Sequence, residues 1–159
     1  MSVRRVIRIV LLSLLGGFLL IQVIPYGRDH TNPPITAEPA WDSPRTRALA
    51  AAACFDCHSY ETAWPWYTNV APFSWLTQSD VENGRGTLNF SEWDRPQGEV
   101  HETSEAIREG TMPPWYYRIL HSGARLTDAE RQALIRGLDA TFLASPPIEG
   151  EHGHESDGD

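Results

Sequence analysis

Ala53-Cys54-Phe55-Asp56-Cys57-His58 is the stretch on which the reading of this chain turns. It holds the only two cysteines of 159 residues, two residues apart, followed at once by a histidine. That is C-x-x-C-H, the attachment signal for a c-type haem. The spacing has a chemical reason. Two thiols with two residues between them can add to the two vinyl groups on one porphyrin edge, and the adjacent imidazole then lies under the ring as proximal iron ligand. Cys54 and Cys57 are therefore the expected attachment sites for one covalent haem c per chain, with His58 on iron. Three other uses of such a pair stay open: a thioredoxin-like redox couple, half of a zinc site, or a small-loop disulfide. The first expects a βαβ pattern, and the second needs ligands from distant histidines.

Upstream, an Ala-rich segment over residues 48–53 leads into the motif. Asp42 or Ser43 is placed to cap a helix with Pro44 in its first turn. Downstream, helices are predicted over residues 74–83, ending near Gly84 and Gly86, and over residues 99–109, with Gly110 in the stop position. The clearest helix is the last. Thr127 with Glu130 forms a capping box, followed by an apolar stripe of Ala129, Leu134, Ile135, Leu138 and Phe142. No stretch alternates as a strand does. The expectation is an all-α, small cytochrome-c-like helical domain with long Trp- and Pro-rich loops.

The sixth iron position has a candidate in Met112, the only methionine besides the initiator, in Gly110-Thr111-Met112-Pro113-Pro114. A thioether favours reduced iron, and the two prolines stiffen the loop that carries it. His101 and His121 are rival ligands, and an open position is a further alternative. Trp64, Trp66, Tyr67, Phe73, Trp75, Phe90, Trp93, Trp115, Tyr116 and Tyr117 are numerous enough to wall off a large flat apolar group or to build an ordinary core. Arg85 is a possible partner for a propionate.

Arg4, Arg5 and Arg8 precede an apolar run over residues 9–24, broken only by Ser13, Gly16, Gly17 and Gln22. A helix over residues 6–24 rises about 28 Å, close to the hydrocarbon thickness of a bilayer. The expectation is one N-terminal transmembrane helix. The protein is then a single-pass protein of the bacterial cytoplasmic membrane, with the haem domain facing the periplasm. A cleaved signal peptide is the competing reading, though Pro25, Tyr26, Gly27 and Arg28 make a poor cleavage site. The expected organisation is an anchor over residues 1–26, a Pro-rich tether over 27–43, the haem domain over 44–146 and an acidic disordered tail over 147–159.

Net charge is −8, and all 13 basic residues are arginine. Without the first three arginines the balance is about −11, which disfavours nucleic acid and favours a redox partner with a basic docking surface. No triad, carboxylate pair or phosphate loop points to an enzyme.

Larger blocks now matter: Cys54-Phe55-Asp56-Cys57-His58-Ser59, Trp64-Pro65-Trp66-Tyr67, Ala71-Pro72-Phe73-Ser74-Trp75, Leu88-Asn89-Phe90-Ser91-Glu92-Trp93, and Met112-Pro113-Pro114 with Tyr117 and His121. Together with Asp80-Val81 and Gly84-Arg85, they resemble the bacterial haem-binding domain proteins that carry one C-x-x-C-H, across roughly residues 50–140. The resemblance implies a cytochrome-c-like, exported and often membrane-tethered single-haem domain. It carries over Cys54 and Cys57 as attachment sites, His58 as iron ligand and Met112 as the further ligand. The resemblance leaves the task open; the leading expectation is single-electron transfer on the outer face of the membrane, and the alternative is a haem-based sensor or ligand-binding module with an open or exchangeable sixth site.

Overall fold

The computed structural model describes residues 2–98 and 100–149; the acidic tail beyond, with His152 and His154, lies outside the described residues. Seven α-helices are present among them: α1 Val3–Ile21, α2 Pro44–Ala53, α3 Phe55–His58, α4 Phe73–Thr87, α5 Thr103–Glu109, α6 Trp115–Leu120 and α7 Asp128–Ala144. The described strands are two short ones, β1 Pro96–Gln97 and β2 Ile148–Glu149, paired in parallel with Pro96 opposite Ile148. The chain groups into two compact units. One comprises residues 1–31 and 63–80, the other residues 32–62 and 81–159.

In the larger unit, α2 begins as its sequence dictates. Ser43 accepts from the Thr46 amide, with Pro44 at the first helical position, where no amide partner is needed. Its buried Ala50 joins Phe55, Phe90, Trp93, Leu134 and Leu138 in one hydrophobic core. At the centre is an aromatic stack. Trp41 lies 5.1 Å from Phe90 between ring centroids, Phe55 5.6 Å from Phe90, and Trp93 5.6 Å from Phe142. Thr127 and Glu130 make the reciprocal capping box that starts α7. Leu134, Ile135 and Leu138 are buried, while Ala129 at the first turn is exposed. Gly110 closes α5 in the left-handed conformation, φ 75°, which a residue without Cβ adopts freely.

The smaller unit is clasped by polar groups. The Gln22 amide donates to the Ala71 carbonyl at 2.9 Å and accepts from the Ala71 amide at 3.0 Å. His30 stacks on Trp64 at 4.6 Å and donates through Nε2 to the Thr68 carbonyl.

The N-terminal segment corrects the expected transmembrane helix. α1 takes Arg4, Arg5 and Arg8 into its first turns and ends at Ile21. The charge-free part, residues 9–21, rises only about 20 Å, short of the ~30 Å of hydrocarbon. Gln22, bound on both sides to the Ala71 backbone, lies where the expected span was to continue. Among the described residues no helix is long and apolar enough to cross a membrane. The single-pass membrane placement, with a periplasm-facing domain, is therefore not supported. The helix expected over residues 74–83 is α4, which begins one residue earlier and ends at Thr87, next to Gly86, with Gly84 inside it.

Candidate haem site

The helix α2 ends at Ala53, and Cys54, with φ −123° and ψ −34°, breaks the spiral before α3. The motif then forms a single turn: the amides of Cys57 and His58 both donate to the Cys54 carbonyl, at 3.1 and 2.9 Å. The two cysteines are not joined in a disulfide. Burial pushes the Cys54 thiol up to about 12, so it is held protonated.

His58 is fixed by the far end of α4. Its Nδ1 donates to the Leu88 carbonyl at 3.0 Å, and the Phe90 amide donates to the His58 carbonyl at 2.8 Å. A carbonyl can only accept, so the proton lies on Nδ1 and the lone pair on Nε2. This is the arrangement of a metal-binding histidine, whose other nitrogen is tied to the protein. Burial pushes the imidazole below its ordinary value, against the pull of the Leu88 and Gly84 carbonyls. The ring is thereby kept neutral, as a ligand must be.

Gly84 permits that contact. A Cβ there would fall 2.8 Å from the Cys57 carbonyl carbon and 2.9 Å from the Cys57 Cβ, closer than real side chains come. The glycine is thus a point of close approach between α4 and the motif turn, not a helix stop. Next to it, Arg85 donates from Nε to the Ser59 carbonyl at 2.9 Å and from Nη2 to Thr62 and Asn32, over the Tyr60 ring. Its guanidinium stitches residues 59–62, the loop leaving the motif, to α4.

Asp56, between the cysteines, accepts from the Tyr117 hydroxyl at 2.6 Å. Tyr117 stacks on His121 at 3.9 Å, and the His121 Nδ1 donates to the Tyr117 carbonyl. Tyr117 and His121 stand out in the sequence, but their link to Asp56 does not, because Tyr117 and Asp56 lie 61 residues apart; the helix α6 that carries Tyr117 has no sequence signal of its own. Met112 is placed in the loop before α6, 44% exposed, its amide bonded to the Ala106 carbonyl at 3.2 Å. The structure brings Cys54, Cys57 and His58 into one turn; Met112 is on a separate loop. His101 is exposed in the short turn Val100–Glu102. Of the aromatic residues singled out, Phe90 and Trp93 are core, whereas Trp66 and Trp115 are 78% and 67% exposed. Trp41, which was not singled out, packs against that core.

Two cysteines outside any disulfide on one turn, followed by an imidazole whose Nδ1 is already engaged, form a donor set that fits haem and iron. Among the described residues no three His, Cys, Asp or Glu groups gather as a zinc site would need. A family model described as haem-binding domain matches residues 16–140. The chain belongs to the haem-binding domain family. No curated protein and no solved structure gives a significant match. Membership supports haem as the cofactor.

Proposed function

We propose that this haem-binding domain is a c-type electron carrier, holding one haem through thioethers at Cys54 and Cys57 and its iron between His58 and Met112. The observation that carries the reading is the His58 ring, tied through Nδ1 to Leu88 at the end of a turn bearing two cysteines that form no disulfide. Cys54 and Cys57 would hold the haem as thioethers, each S–H adding across a vinyl C=C with the sulfur on one carbon and the hydrogen on the other. When bound, the haem supplies a one-electron ferric–ferrous couple. The Leu88 carbonyl, one residue past the end of α4, would hold the His58 ring in one orientation as a ligand. No substrate turnover is required of such a site. A net charge of −8 suits a redox partner with a basic docking face.

The 44% exposure of Met112 favours a second reading, a sensor whose sixth position exchanges ligands. One experiment separates the two. The chain is produced in a host with c-type haem maturation, denatured, and tested for haem retained on the polypeptide. The native protein is then titrated optically beside Met112→Ala. Retained, low-spin haem whose potential falls in the variant supports the carrier. A high-spin haem indifferent to the substitution supports the sensor, and haem lost on denaturation overturns covalent attachment.

A further inference from the structure

We propose that Tyr117 is a positioning residue for the sixth-ligand side of the haem, registering the Met112 loop against the Cys54–His58 turn through its hydrogen bond to Asp56. The inference rests on the His58–Met112 reading above. The loop is held at two ends. At one, the Met112 amide and the Thr111 hydroxyl both donate to the Ala106 carbonyl of α5, at 3.2 and 3.0 Å. At the other, Tyr117 donates to Asp56, the residue between the two attachment cysteines. Pro113 and Pro114 lie between these anchors, and their fixed φ values make the connection stiff. A shift at Tyr117 is therefore passed to Met112 rather than absorbed.

Trp115, Ile119 and Leu120 are 67%, 58% and 57% exposed, so much of this six-residue helix faces away from the core. The polar end is well made. The Tyr117 ring is stacked on His121, and the His121 Nε2 lies 3.9 Å from the same Asp56 oxygen. Burial, and then the bond to the carboxylate, push the tyrosine hydroxyl above its ordinary value, so it stays a donor. A hydrogen bond to a charged acceptor is among the stronger ones available to a small domain.

The test uses the full chain with haem attached, as wild type, Tyr117→Phe, Asp56→Ala, the double variant and Met112→Ala. Tyr117→Phe keeps the ring on His121 and removes only the hydroxyl. The expected result is wild-type haem stoichiometry with a lower low-spin fraction and a midpoint potential displaced toward that of Met112→Ala. Imidazole, added as a probe for the sixth position, then binds about tenfold more tightly, the weight of one charged hydrogen bond. In the Asp56→Ala background the tyrosine substitution adds nothing further. If Met112→Ala changes the spectrum while Tyr117→Phe matches wild type, the inference is overturned and the axial reading stands. If Met112→Ala itself matches wild type, the axial reading fails and takes the inference with it. Should Tyr117→Phe not accumulate, Asp56→Ala is read in its place with the same two outcomes.

Discussion

Gly84 shows how far one missing side chain reaches. Replacing glycine by alanine inside a helix ordinarily gains about 1 kcal/mol through propensity. Here the added Cβ meets the backbone and Cβ of Cys57, which cannot swing aside as a flexible side-chain tip would. Overpacking of this kind costs about 1–3 kcal/mol, so the clash outweighs the gain. Gly84→Ala is expected to lower the melting temperature and the haem-to-protein ratio together, whereas exposed Gly86→Ala should raise stability or leave it unchanged. Thermal unfolding and pyridine haemochrome assay of both variants check this. Cys54, Cys57 and His58 are legible in sequence because their spacing is itself the chemistry. Gly84 reads as a helix stop because a glycine near a helix end usually is one. The role of Asp56 is invisible without Tyr117, which nothing local connects to it.

Helices declare themselves when their ends are satisfied within a few residues. Ser43-Pro44 starts α2, Gly110 ends α5, and the Thr127–Glu130 box starts α7; each is a local bargain between side chain and backbone. The element without such a signal is α6, whose N-terminal neighbour Pro114 makes no side-chain cap and which holds through Tyr117 to a distant carboxylate. The α7 cap gives a clean test. The Thr127 hydroxyl accepts from the Glu130 amide, and the Glu130 carboxylate accepts from the Thr127 amide at 2.8 Å. Thr127→Ala should cost about 1 kcal/mol, a fall of about 2–4 °C in Tm for a chain of this size. Because the cap is remote in sequence from the motif, the haem spectrum should be unchanged. A spectral change on a par with the loss in Tm would mean that α7 does more than support the core.

At the scale of the whole chain, helical character and acidity are legible and the N-terminal span is not. Counting apolar residues over 9–24 takes no account of arginines already inside the helix or of a glutamine clasped to Ala71. Nor does periodicity reveal that residues 63–80 group with the N-terminus rather than with the motif. Charge pairing across the larger unit is equally long-range, and it yields a pH dependence. Arg47 donates to Glu38 at 2.8 and 2.7 Å and to Glu61 at 2.7 Å, while its guanidinium lies 5.1 Å from the centre of the Phe55 ring. The Arg47 hydrogen bond, aided by one from Trp41, holds the Glu38 carboxyl below its ordinary value of 4.5 against the opposing effect of burial. A carboxylate depressed in the folded state contributes stability that is complete above the unfolded value and is lost as pH falls through the folded one. The loss therefore begins near pH 4.5 and continues below it. The pair is partly exposed, so its weight is about 1 kcal/mol or less. Glu38→Gln should lower Tm by up to about 2–4 °C at pH 7, and the gap to wild type should close as the pH is taken well below 4.5. Melting curves from pH 7 down to pH 3 in low salt decide it. A gap constant across that range would assign the loss to packing around Trp41 rather than to the charge.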